Sequence, residues 1–287
     1  MGEFAMFRLF QITSCLSLSL LLSVVGRAQV SKISSAKQHL ESASSAAASG
    51  DAAAEKEFRK AIELRDGIYP EAWLQLSLFL RKNLRFTDSL QALETALKQK
   101  PQLLSTWEKD LGIVRRAAEL QARDSSGEVL PVEEMIELVN AVDTFAYHEA
   151  AKPYAERAVV IYPQSSSALI TLASLIKWDE RERAMDLFNR AVSLKSSDPL
   201  VYIARGRGFC WIEGDGYRAE ADFRKAIALS NGLNIYAWQG LGDALARQGR
   251  RNEAIMAYEK YLAMRPENLA FQDLQIKRSI AALRTQQ

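Results

Sequence analysis

The 287-residue sequence has little of what most catalytic chemistry needs. It holds two cysteines, Cys15 and Cys210, and two histidines, His39 and His148. That is too few for a zinc cluster or a disulfide framework. It carries no excess of one charge: 37 basic residues against 35 acidic give +2, which leaves no net field to draw the chain onto nucleic acid or anionic lipid. No Asn-x-Ser/Thr acceptor occurs. Seven prolines and 14 glycines leave long stretches free of breakers. What the chain does have is an apolar fraction of 48% beside 25% charged residues, enough for a core and ordinary for a soluble protein.

Residues 1–28 differ from the rest. Arg8 precedes the run Leu16-Ser17-Leu18-Ser19-Leu20-Leu21-Leu22-Ser23-Val24-Val25, and Gly26-Arg27-Ala28 follows, just before Gln29. A basic start, a short apolar stretch and small residues at the cut are the layout of a secretory signal peptide. The run is short of the roughly 20 residues a bilayer-spanning helix needs. Export into a bacterial periplasm or attachment to the envelope is therefore expected, with an uncleaved membrane anchor over residues 7–25 as the alternative. Ile12-Thr13-Ser14-Cys15 resembles a lipoprotein box by residue type, but its apolar run follows the cysteine instead of preceding it. Met6 offers an alternative start. Cleavage after Ala28 leaves Cys210 alone, so no internal disulfide forms.

The body is one pattern written repeatedly. Phe58-Arg59-Lys60-Ala61-Ile62 recurs letter for letter as Phe223-Arg224-Lys225-Ala226-Ile227. Variants stand at Leu187 to Val192 and Leu93 to Leu97. Upstream of such segments, Trp73, Leu76, Ser77 and Leu80 are matched by Trp238, Leu241, Gly242 and Leu245, and Trp73 and Trp107 are 34 residues apart. Apolar residues at steps of three and four lie on one helical face. Ser77 and Gly242 fall where a large side chain would hold the next helix away. Ala61, Ala96, Ala191 and Ala226 each follow a large residue by three positions, giving every second helix a bump and a hollow. Neither helix buries its stripe alone; stacked pairs bury it continuously. Pro70, Pro101, Pro163, Pro199 and Pro266 fall between pairs, where proline ends one helix or opens the next.

This spacing resembles the tetratricopeptide repeat (TPR) family. The resemblance is carried at 70–103 by Trp73, Leu76, Ser77, Leu80, Ser89, Leu93, Ala96 and Pro101. At 235–268 it is carried by Trp238, Leu241, Gly242, Leu245, Ala254, Tyr258 and Pro266. Further copies fit at 132–164, 165–198 and 199–234, and 35–69 keeps the second helix while its first is degraded to Ser and Ala. The family implies an all-α fold: a right-handed superhelical α-solenoid of antiparallel helix pairs, about six to seven repeats plus a C-terminal capping helix. Residues 29–123 form a first block ending in a long helix, 124–131 a loop and hinge, 132–268 a second block, and 269–287 the cap and tail. Tyr261 replaces a small residue and is expected to push the final helix outward. Leu269, Leu274, Ile276, Ile280 and Leu283 are expected to form the cap's apolar face. Pro153 is compatible with a helix only if that helix starts near Glu149, within whose unbonded first turn its missing N–H falls.

No acid, base and nucleophile are placed for catalysis, so the chain reads as non-catalytic, without cofactor or metal. His148 beside Glu149 and Tyr147 reads as a turn residue, and Cys210 as a buried inert thiol. Arg205-Gly206-Arg207-Gly208 lies in a helical period with no preceding strand, unlike a phosphate loop. The resemblance implies instead that first helices line a protein-binding groove. Its inward positions carry Leu74, Leu78, Arg81 and Lys82; then Glu108, Arg115 and Arg116; then Ile170, Ser174, Lys177 and Trp178. Ile203, Arg207 and Trp211 follow, and finally Tyr236, Gln239, Asp243 and Arg247. Cations at helix ends (Lys82, Arg116, Lys177, Arg247) have two readings. They complement helix dipoles, at about 0.3–1 kcal/mol each, or they form a basic rim for carboxylates of a peptide. Trp178 and Trp211 read either as an aromatic shelf or as packing. The Lys/Asn carboxylate clamp of chaperone-binding family members is not reproduced, since Leu74 and Leu78 occupy two of its positions. The expected partner is another protein or a peptide, not nucleic acid. A self-assembling envelope component, or a subunit of an enzyme complex, is the alternative.

Overall fold

The computed structural model describes residues 29–146, 148–195, 197–265 and 270–285, and every regular element among them is helical. Expectations that fall on residues 1–28, on Pro266 and on Leu269 lie outside the described residues. Among the described helices none is long and apolar enough to cross a membrane. The chain divides into two compact units, up to Glu128 and from Val129 onward.

The first unit contains α1 (29–48), α2 (Ala53–Glu63), α3 (Pro70–Lys82), α4 (Phe86–Gln99) and α5 (Leu104–Ser125). Ala43 of α1 and Ala54, Phe58 and Ala61 of α2 are fully buried together with Ala72 and Leu76 of α3, in one continuous core. Small residues in α1 therefore let that helix approach closely. Pro70 opens α3 at its first position, where no amide hydrogen is required. Between α3 and α4 the small residues do specific work. Ser77 Oγ donates to the Ser89 carbonyl and Ser89 Oγ to the Ser77 carbonyl, both at 2.9 Å and both buried.

The second unit contains α6 (Val132–Ala146), α7 (His148–Ile161), α8 (Ser166–Ile176), α9 (Arg181–Leu194), α10 (Pro199–Gly208), α11 (Gly216–Leu229), α12 (Ile235–Arg247), α13 (Arg251–Met264) and α14 (Ala270–Thr285). Consecutive helices pair as α6/α7, α8/α9, α10/α11 and α12/α13, each pair packing on the next, with α14 against α13. Side chains of Ser165, Asp198, Asp215 and Asn234 accept backbone N–H groups at the starts of α8, α10, α11 and α12. Phe223 of α11 wedges between α10 and α12, where a Cβ at Gly206 would sit 3.1 Å and one at Gly240 2.2 Å from its ring. A Cβ at Gly242 would lie 2.4 Å from the Tyr258 ring, so the small residue read from the sequence is a close approach of α12 to α13. Across the described residues there are thus six helix pairs plus α5 and α14: an all-α repeat fold, as the periodicity predicts.

The turns repeat as faithfully as the helices. Asp66-Gly67 and Asn231-Gly232 both take left-handed backbone angles, with Gly67 at φ 81° and Gly232 at φ 78°. In each case the indole Nε1–H of the tryptophan six residues on, Trp73 or Trp238, donates to the glycine carbonyl at 2.9 Å. The repeated tryptophan thus locks the turn as well as filling the core.

Three expectations need correction. α7 begins at His148 and Pro153 lies inside it, beyond the first turn. The proline therefore removes a bond that would have run to the carbonyl of residue 149. In α14, Ile276 and Ile280 are buried as expected, but Leu274 is 46% exposed and Asp273 joins the buried stripe in its place. Asp273 goes inward because Arg265 meets it at 2.8 Å. Arg116 is not at a helix end, since α5 continues to Ser125; a dipole role does not apply to it. Tyr261, for its part, is fully buried, as is Asp273 opposite, and burial with the neighbouring Asp273 carboxylate raises its phenol pKa.

Candidate functional site

The residues read as inward-facing fall into two groups with different surroundings. In the first unit, the cations are held by carboxylates. Arg81 reaches Asp110 of α5 at 2.8 Å, with its side chain only 13% exposed, and its guanidinium lies 5.9 Å from the Trp107 ring. That contact bolts α3 to α5. Arg115 pairs with Glu94 and Arg116 with Glu119, each at 2.8 Å. Lys82 closes α3 on the surface. Leu74 and Leu78 are half-buried, and Glu108 is exposed.

In the second unit, the first helices α8, α10 and α12 line an open hollow of ≈ 360 Å³. This is within the range of ligand pockets, at its lower end. Its apolar lining is Ile170 of α8 and Leu200 and Ile203 of α10, softened by the hydroxyls of Thr171 and Ser174. Its polar end is formed by Lys177, Arg207, Trp211 and Tyr236. Lys177 Nζ lies 5.7 Å from the Trp211 ring centroid and 5.8 Å from that of Trp178. The Arg207 guanidinium lies 5.9 Å from Trp211 and 5.7 Å from Tyr236. Two cations therefore share one indole. Trp178 is 50% exposed, and Trp211 and Tyr236 are each 39% exposed.

Trp211 reaches this place by a local irregularity. α10 ends in a π-helical turn, Phe209–Glu213, closed by Gly214 at φ 71° and by a bond from the Asp215 amide to the Phe209 carbonyl at 2.9 Å. The extra residue re-aims the chain so that Phe209 and Cys210 stay buried while Trp211 faces solvent. On the other side of α10, Arg205 binds Asp222 with two bonds of 2.8 Å. Alternate arginines of the Arg205-Gly206-Arg207-Gly208 stretch thus serve opposite faces: one braces α11, the other enters the cavity.

The electrostatics follow from burial. Desolvation pulls the Lys177 pKa down, and the nearby Arg207 charge lowers it further, opposed by Asp143. Desolvation likewise lowers Arg207, opposed by Asp243 and Tyr236. Asp243 is half-buried, accepts a bond from the Tyr258 hydroxyl at 2.7 Å, and has its own pKa raised by burial. Arg247 closes α12, and Gln239 lies half-buried on the same helix. Cys210 is buried and free, its thiol pushed up to about 11 mainly by burial, which leaves it a weak nucleophile. His148 is exposed, with Nδ1 against Asp143, and His39 Nδ1 meets Glu57 at 2.6 Å. Among the described residues, no group of three or more His, Cys, Asp or Glu is arranged to hold a metal.

Sequence reasoning named Lys177, Arg207, Trp211 and Tyr236 separately, and the structure brings them to one cavity. It missed Leu200, Thr171 and the π turn. A signal for the turn was present: the interval from Pro199 to Asp215 is too long for one regular first helix and ends in Gly214-Asp215.

These pairs define a helical-repeat protein. Residues 235–268, which hold α12 and α13, match the tetratricopeptide repeat family. A tetratricopeptide repeat protein from Parabacteroides merdae shares 15% identity, covering 87% of this chain and 99% of its own, with a TM-score of 0.50. A thermophilic protein of this type from Thermus thermophilus shares 18% identity over 74% of this chain and 100% of its own, with a TM-score of 0.47. At 15% identity the likeness to the Parabacteroides merdae protein shows the fold alone. No curated protein sequence matches the chain.

Proposed function

We propose that the chain is a non-catalytic protein-interaction scaffold of the cell envelope. In this reading it takes a peptide segment of a partner protein on the α8/α10/α12 face of its second unit. The repeat fold supports a scaffold role in general. The observation that carries the specific site is the cavity itself. Three successive first helices leave an apolar hollow flanked by three exposed aromatic rings and two cations. Trp and Tyr are frequent anchors at protein interfaces, and a hollow of this size admits two or three side chains rather than a folded domain. The signal-peptide layout of residues 1–28 supports export.

A photoreactive phenylalanine analogue at Leu200, which lines the cavity and is 55% exposed, should crosslink a discrete partner in host cells. The same group at Val160, 78% exposed on α7, should not. The Trp178→Ala/Trp211→Ala pair should remove the Leu200 adduct. Equal adducts at both positions, or adducts indifferent to the tryptophans, would refute the site. Mass spectrometry of the protein from fractionated cells reads the address: a chain beginning at Gln29 in the envelope is expected, and a full-length cytosolic chain refutes export.

A further inference from the structure

Among the described residues, three well-buried arginines have a carboxylate in contact. Arg81 has Asp110, Arg205 has Asp222 and Arg265 has Asp273, each at 2.8 Å. Lys177 and Arg207 differ. Among the described residues neither has an ion pair or a hydrogen bond, and their close neighbours are aromatic rings. The carboxylates nearest in electrostatic terms are already engaged. Asp243 accepts from Tyr258, Asp143 lies against His148, and Asp198 at the cavity wall accepts the Leu200 amide at 2.8 Å as the cap of α10. Two like charges held together in a partly dry hollow destabilise the unliganded protein. A negative group placed between them removes that strain.

The neighbourhood narrows what carries the negative group. Next to the cations lie Ile170, Leu200 and Ile203, an apolar surface that a sugar or a polyphosphate would leave poorly matched. Resting on the scaffold reading above, we infer that the cavity recognises an internal acidic residue of a partner peptide. Its side-chain carboxylate lies between Lys177 and Arg207, and an adjacent aliphatic or aromatic side chain fills the hollow over Ile170, Leu200 and Ile203. The Trp211 ring holds both cations from behind and sets their spacing.

A random peptide library displayed on phage, each member tethered at both ends so that no free C-terminus is offered, tests this. Selection uses the full chain, with counter-selection on the Lys177→Met/Arg207→Met variant. The enriched pool should share an Asp or Glu beside an apolar residue. Capped synthetic copies should lose about ten-fold in affinity by fluorescence anisotropy when that acid becomes the amide, the scale of a hydrogen bond to a charged group. That peptide change reads the same contact without altering the protein, so an unfolded double variant does not obscure the answer. A pool without acids that still needs Trp211 overturns the carboxylate inference and leaves the scaffold site standing. A pool that binds the Trp178→Ala/Trp211→Ala variant equally well, or no enrichment at all, overturns both. A phosphoserine peptide that binds where its glutamate counterpart does not would overturn the inference in favour of phosphate.

Discussion

Replacing Gly240 with alanine puts a methyl group 2.2 Å from Cε1 of Phe223. Ordinary contact begins near 3.4 Å, so the ring or the helix has to move by more than an ångström. The ring has nowhere to go. It is 1% exposed, and the same edge, Cε1 and Cζ, lies 3.1 Å from where a Cβ on Gly206 of α10 would stand. Overpacking of this kind costs about 1–3 kcal/mol. Against it stands a gain of about 1 kcal/mol for alanine over glycine inside a helix. The net is a loss of up to about 2 kcal/mol, because the obstacle is a buried aromatic ring edge backed by two helices. Gly112 is the control: it lies within α5 with nothing within 4 Å of a built Cβ. Gly112→Ala therefore keeps the propensity gain, roughly 0.5–1 kcal/mol, with no clash. At about 4–8 °C per kcal/mol for a unit of this size, the melting point of the first unit should rise by several degrees. Gly240→Ala should lower that of the second by about 2–4 °C per kcal/mol lost. Repeat arrays can melt in stages, so amide hydrogen exchange resolved by segment is the assay. If Gly240→Ala protects α11 and α12 as Gly112→Ala protects α5, the wedge of Phe223 between α10 and α12 is not what holds those helices.

Other outcomes follow from individual contacts. Ser77→Ala removes the bond its hydroxyl donates to the Ser89 carbonyl, while Ser89 Oγ keeps the Ser77 backbone carbonyl as acceptor, and should cost about 0.5–1.5 kcal/mol; because the two hydroxyls also meet at 2.9 Å, Ser77→Ala/Ser89→Ala should cost less than the sum of the singles, and a denaturant double-mutant cycle reads the difference. Arg205→Met leaves Asp222, 5% exposed, without its two-bond partner, and should destabilise the second unit by about 3–5 kcal/mol in urea unfolding. Lys177 is harder to protonate folded than unfolded, so the unfolded state holds more protons between its depressed pKa and the ordinary lysine value. Its contribution to stability thus rises with pH across that window, and Lys177→Met should flatten the rise. Acidic-peptide affinity should move the other way, falling as pH climbs through the depressed value, and Lys177→Arg should push that fall to higher pH.

How far the sequence reveals this molecule depends on the range of the forces involved. The helix pairs are legible because each Phe–Ala step and each tryptophan obeys a local period: Phe58 and Phe223 are buried alike, as are Ala61 and Ala226. The left-handed turns at Asp66-Gly67 and Asn231-Gly232 were not read from the sequence, and the bond from the indole to the glycine carbonyl needed coordinates. Partners across helices were not legible. That Arg81 is taken by Asp110 while Lys177 is left to aromatic rings depends on the rotation of each helix about its axis, which packing sets to a few degrees and sequence does not encode locally. Leu274 failed for the same reason. The apolar period placed it inward, but the Arg265–Asp273 pair turned the helix so that an aspartate took the buried position. The place of Trp211 at the cavity follows from a π turn, a single-residue departure from the repeat that no average pattern contains.

The same departure accounts for why the site lies in the second unit. In the first unit Arg81 on α3 finds a carboxylate on α5, Asp110, which neutralises it. At the end of α10 the extra residue carries Trp211 into that role in place of an acid. An indole attracts cations but does not neutralise them, so the charge on Lys177 and Arg207 remains available to a visitor. Trp211→Glu should therefore do more than remove an aromatic anchor. It supplies the missing counter-ion in place, which should raise the stability of the second unit in urea while abolishing binding of acidic peptides. Trp211→Gln, of similar size without the charge, should weaken binding with no such gain. Equal stability in the two variants would show that the cations are already neutralised, and the recognition scheme would fail with that result.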